Sequence, residues 1–147
     1  MYVADRPTRC FAIEWVAADF AGMKVEIGSP AAQTFFEVVV LVLAVELWGD
    51  GLHPAAILGD SVSALQEVLS LKGKDLHAPV SQALSRLLVS RSLSLTVGHL
   101  PAEANTAADA LSRQSEPKNT KPWPFSRSQG VRVDEAVRPS TLWSWLG

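Results

Sequence analysis

From Pro30 to Trp48 the chain runs without a helix breaker and is almost wholly apolar. Ser29 before Pro30 is an N-cap and first-turn signal, and Gly49 closes the run, so residues 30–48 read as one long helix. Its Val, Leu, Ala and Phe leave room for only a narrow polar strip, which makes it the central, mostly buried helix of whatever forms here. The apolar stretch from Phe35 to Trp48 holds Glu37 and Glu46 and falls short of the roughly 18–20 residues a membrane span needs. It therefore reads as core, with no transmembrane segment.

The other elements arrange themselves around that helix. Residues 8–16 (TRCFAIEWV) alternate β-branched and aromatic residues as a strand does, and residues 19–29 read as a loop. PAAILG at residues 54–59 is a short apolar run ending at Asp60, as a buried strand ends. Residues 61–71 then carry apolar positions at helical spacing. Residues 76–91 place Leu76, Val80, Leu84, Leu87 and Leu88 on one face of an amphipathic helix, and SLSLTV at residues 92–97 alternates as a half-buried strand. A loop at residues 98–103 and an alanine-rich helix at residues 104–113 complete the folded part. Residues 1–113 thus form one domain, and residues 114–147 a proline-rich, mildly basic tail in which Trp123, Trp143 and Trp145 are candidates for docking.

With 147 residues, 48% hydrophobic and 19% charged, the chain can bury a core of ordinary size. Its net charge of −2 gives none of the positive field of a protein that binds nucleic acid by charge alone, so such a role must rest on a site. Lys72, Lys74, Arg86 and Arg91 are candidate phosphate contacts as well as ordinary solvated surface. The one cysteine, Cys10, excludes a disulfide framework and reads as a packed small hydrophobe. The first nine residues lack the apolar stretch of a signal peptide, which points to an intracellular protein.

Three acids occupy telling positions: Glu37 in the apolar helix, Asp60 at a strand-to-helix junction, and Asp109 in the last helix. Each has a structural reading. Glu37 fits the polar strip of its helix, Asp60 fits a helix cap, and Asp109 sits favourably towards a helix N-terminus. Together, three acids from separated elements can converge on divalent cations, since carboxylate oxygens are what Mg²⁺ prefers. Two metals held that way suit in-line phosphodiester cleavage.

HLPAEANTAADALSR at residues 99–113 resembles the closing block of retroelement ribonuclease H domains, H-x-P-x-x-x-N-x-x-A-D-A-L-S-R. LGDSVSAL at residues 58–65 is similar to the family's block around its second aspartate, and QTFFE at residues 33–37 to the helix with its glutamate. The resemblance covers residues 9–113. It implies an α/β ribonuclease H-like fold with a mixed sheet flanked by helices. It also implies Glu37, Asp60 and Asp109 as ligands of Mg²⁺ or Mn²⁺, His99 as a catalytic proton shuttle, and Asn105 and Ser61 as substrate contacts. The substrate it implies is an RNA/DNA hybrid, and the partner an upstream reverse transcriptase polymerase domain. The family's first strand and first aspartate have no clear counterpart; Asp5 is the fallback. Two other readings stand beside it: a non-catalytic remnant or interaction module with the same fold, and a serine hydrolase with Gly59-Asp60-Ser61 as its nucleophile block.

Overall fold

The computed structural model describes residues 9–49, 54–114, 116–125 and 130–133. It is a mixed α/β chain. Among the described residues the order is β1 (Arg9–Cys10), α1 (Ala17–Met23), α2 (Pro30–Trp48), β2 (Ala55–Gly59), α3 (Val62–Ser70), α4 (Ala78–Ser90), β3 (Leu95–His99), α5 (Thr106–Ser112) and β4 (Arg132–Val133). Short 3₁₀ turns at Asp75–His77 and Ala102–Ala104 precede α4 and α5.

The helix α2 has the expected bounds. Ser29 Oγ accepts from the Ala32 amide at 3.2 Å, and Pro30 takes the first position, where its missing N–H costs nothing. The helix buries Phe35, Phe36, Val38, Val39, Val42, Leu43 and Val45, and packs against α3 and α4. Its 19 residues are long and apolar enough, by length and composition, to cross a bilayer; in this fold it is the core helix. Arg91, at the end of α4, donates Nη1 to the carbonyls of Val45 (2.8 Å), Glu46 (2.8 Å) and Gly49 (3.0 Å). The guanidinium thus adds a donor at the last carbonyls of α2, of which Val45 also accepts from the Gly49 amide at 2.7 Å, and places a positive charge where the helix dipole favours one. Arg91, a candidate phosphate contact in the sequence, is thus engaged within the fold through Nη1.

The strands β2 and β3 pair in parallel, in register from Ala55 opposite Leu95 to Gly59 opposite His99. The connection through α3 and α4 is the crossover that parallel pairing requires. Ala55, Ile57, Leu95 and Val97 face the helices, while Ala56, Leu58 and Thr96 are exposed. β1 pairs in parallel with β4, Arg9 opposite Arg132. In place of one mixed sheet, the described residues form two separate parallel pairs.

Residues 11–16 form no strand beyond Cys10. Their alternation is still real: Phe11, Ile13 and Trp15 pack on the core, with Phe11 edge-on to Trp48 at 5.0 Å and Trp15 against Phe36 at 4.4 Å. Alternation reports which side chains are buried, and the ladder itself is missing here. The loop expected at residues 19–29 begins instead with α1. That helix lacks a polar N-cap; instead the carboxylate of Asp19, in its first turn, accepts from the Val16 amide at 2.8 Å. β3 begins later than expected because Ser92 lies at φ 48°, a left-handed turn between α4 and the strand.

The third strut of the core joins α3 to α4. His77 Nδ1 lies 2.8 and 2.7 Å from the two carboxylate oxygens of Glu67, and its ring stands edge-on to Phe35 at 5.2 Å. Gly73 passes close beneath: a Cβ there would stand 2.6 Å from the His77 carbonyl oxygen. These contacts make His77 structural. His53 lies outside the described residues.

Candidate active site at the ends of two parallel strands

Parallel strands deliver their C-terminal ends to the same side, so Asp60 after β2 and His99 at the end of β3 come out as neighbours. The two strand ends are locked by the Leu100 amide, which donates to the Gly59 carbonyl at 2.8 Å. Asp60 and His99 are both exposed.

Ser61, and not Asp60, caps α3: its Oγ accepts from the Ala64 amide at 3.4 Å. The Asp60 carboxylate is therefore free of the capping duty that would have explained it. It accepts a hydrogen bond from Asn105 Nδ2 at 3.1 Å. Asn105 in turn begins α5 without making a side-chain cap of its own. Two residues whose ordinary explanation is helix capping thus spend their side chains on each other, across the gap between the β2 end and the loop after β3. The same contact joins the two sequence blocks at residues 58–65 and 99–113.

Asp109 lies one turn into α5 and is saturated with cations. Arg113 Nε donates to its Oδ1 at 2.9 Å, and Lys121 Nζ reaches its Oδ2. Lys121 belongs to the segment after α5, so the expected tail returns to the domain at this acid. Glu37 is half-buried on α2 and accepts from Gln33 Nε2 at 3.2 Å, one turn earlier on the same helix. This is the polar-strip position. Asp5, Trp143 and Trp145 lie outside the described residues; Trp123 is largely exposed, edge-on to Phe125.

Asp60, Asn105 and the end of β3 come together. Glu37, Asp60 and Asp109 are not gathered: among the described residues no three His, Cys, Asp or Glu side chains are placed to hold one metal ion. By donor chemistry Asp60 and Asp109 suit a hard divalent cation, but the oxygens of Asp109 are already held by an ammonium and a guanidinium. A separate cavity of about 570 Å³, lined by Glu67, Ser70, Lys72, Gly73, Lys74 and His77, includes none of the three acids. The Asp109 to Lys121 contact has no signature in the sequence, because nothing in residues 114–121 marks where a loop lysine will land. No protein-family model, curated protein or solved structure matches the chain.

Proposed function

We propose that this chain is a ribonuclease H-type domain of a retroelement reverse transcriptase, hydrolysing the RNA strand of RNA/DNA hybrids with Mg²⁺ or Mn²⁺. The observation that carries the reading is the Asn105 to Asp60 hydrogen bond, which unites the two motif blocks at the exit of a parallel strand pair. The order of elements supports it too. A long helix carrying Glu37 precedes a strand followed by Asp60, a helical crossover leads to a parallel strand ending at His99, and a helix carrying Asp109 follows.

In this reading Asp60, Asp109 and Glu37 are the residues that would hold divalent ions, and the ions would supply charge stabilisation to the attacking and leaving oxygens of the displacement. Asn105 holds Asp60 in orientation. His99, exposed at the end of β3, would be the proton shuttle in this reading. The domain would recognise the hybrid by backbone shape and 2′-hydroxyls, which accords with a net charge of −2.

The test is cleavage of a labelled hybrid with Mg²⁺ or Mn²⁺ by the chain, by Asp60→Asn and by Asp109→Asn. Cutting lost in both variants is the expected result. Soluble, folded protein that never cuts would point to the second reading, a non-catalytic remnant or interaction module with the same fold. The serine hydrolase reading has less support, because the Ser61 hydroxyl is engaged as a helix cap.

A further inference from the structure

We propose that the cavity between the end of α3 and the start of α4 binds a phosphate monoester, held by Lys72 and Lys74. The inference goes beyond the ribonuclease reading and does not depend on it, since the cavity contains none of the three acids.

The loop that forms the cavity is fastened along its length. Leu71 ends α3 at φ 54°, with its amide on the Glu67 carbonyl at 2.9 Å, and Asp75 opens the 3₁₀ turn at φ 48°. Residues other than glycine keep that left-handed backbone only where their surroundings fix it. Between the two, the Lys72 amide donates to Ser70 Oγ at 3.4 Å, and the Gly73 amide donates to the buried Ser81 Oγ at 3.0 Å. The Lys74 carbonyl accepts from the His77 amide at 2.9 Å. Gly73 is thus pressed onto α4, and the lysines on either side of it line the cavity.

The charges around this cavity are unbalanced. Glu67 is the one acid in its lining, and both of its oxygens are taken by His77 Nδ1 at 2.8 and 2.7 Å. Asp75, beside Lys74, is exposed and outside the lining. Among the described residues, the side chains of Lys72, Lys74 and Gln66 have no ion pair or hydrogen bond, whereas Arg91, Arg113 and Lys121 are all engaged. Two ammonium groups without a counter-ion and a carboxamide without a partner therefore share one cavity.

The chemistry of that lining selects the ligand. A phosphate monoester is a dianion above its second pKa of about 6, so two lysines neutralise it, whereas a phosphodiester carries a single charge. Lysine serves phosphate as a point charge. The cavity, at about 570 Å³, has the size of a small-molecule site and leaves room beyond the phosphate. Leu69, in the lining and 62% exposed, offers apolar surface to the organic group of the ester.

The experiment follows the backbone amide shifts of Lys72, Gly73 and Lys74 by nuclear magnetic resonance as the full chain is titrated at pH 7.5 and fixed ionic strength. The probes are inorganic phosphate, phenyl phosphate as a monoester and dimethyl phosphate as a diester. Saturable shifts with the first two are expected, phenyl phosphate binding more tightly. Lys72→Met and Lys74→Met should each weaken binding about two- to fivefold, the range an exposed ion pair commands. Leu69→Ser should weaken phenyl phosphate and leave inorganic phosphate unchanged. Equal weakening by Lys118→Met, which lies outside the cavity, would reduce the effect to net charge and overturn the proposal. Dimethyl phosphate bound as tightly as phenyl phosphate would overturn the monoester assignment. Shifts that never saturate, or none at all, would overturn the site, and each of these results leaves hybrid cleavage to be decided separately.

Discussion

Asn105 gives its side-chain amide to Asp60 at 3.1 Å and leaves α5 without a side-chain cap. An asparagine in that position ordinarily spends its oxygen on the first helical amides, a use worth about 1 kcal/mol. Asn105→Ala therefore has no cap to lose. Unfolding midpoints should change little, while on the proposed ribonuclease reading hybrid cleavage falls roughly tenfold, the scale of one hydrogen bond to a charged group. A stability loss with cleavage intact in the folded fraction would make the carboxamide structural instead.

Arg91 is the reverse case, a charged residue whose work is structural. Its Nη1 is shared among three carbonyls at the end of α2. Arg91→Met keeps most of the apolar stem and removes the guanidinium. The expected loss is about 1–3 kcal/mol in urea unfolding, from the charge-assisted hydrogen bonds to the helix-end carbonyls and the lost dipole interaction. An unchanged midpoint with an unchanged slope would show that water replaces the guanidinium at no cost.

Glu46 lies on the same end of α2. Burial raises its pKa above the ordinary glutamate value, and the nearby Arg91 charge partly offsets that. An acid whose folded pKa is raised binds its proton more tightly in the native state. Its charged form is therefore a liability above the folded pKa, and stability recovers as pH falls towards the unfolded value. Glu46→Gln should raise the melting temperature at pH 7, with the gain vanishing in acid below the ordinary glutamate range. A variant no more stable than wild type at pH 7 would count against this.

The long helix, the β2–α3 junction, α4 and the last helix were legible in the sequence because each rests on local signals: Ser29 with Pro30, the apolar run that ends at Asp60, the leucine stripe of α4. The failures have physical causes. Phe11, Ile13 and Trp15 alternate because α2 buries every second side chain, and periodicity cannot tell that from a strand. α1 (Ala17–Met23) follows Val16, an N-cap residue with no capping oxygen, and its one start signal, the Asp19 carboxylate on the Val16 amide, works backwards along the chain. At the candidate site the acids and Asn105 were visible, but capping roles were not: Ser61 caps where Asp60 might have, and Asn105 does not cap at all. Arg91 was legible only as a surface charge, because its partners lie far away in the sequence.

The pairing of Arg9–Cys10 with Arg132–Val133 joins opposite ends of the described chain. The entropy of closing so long a loop grows only logarithmically with its length, but a ladder of two residues on each side offers few hydrogen bonds in return. Such a closure opens far more readily than the α2 core. In a native-state hydrogen exchange experiment its amides would exchange early, while those around Val38 and Val42 would wait for global unfolding.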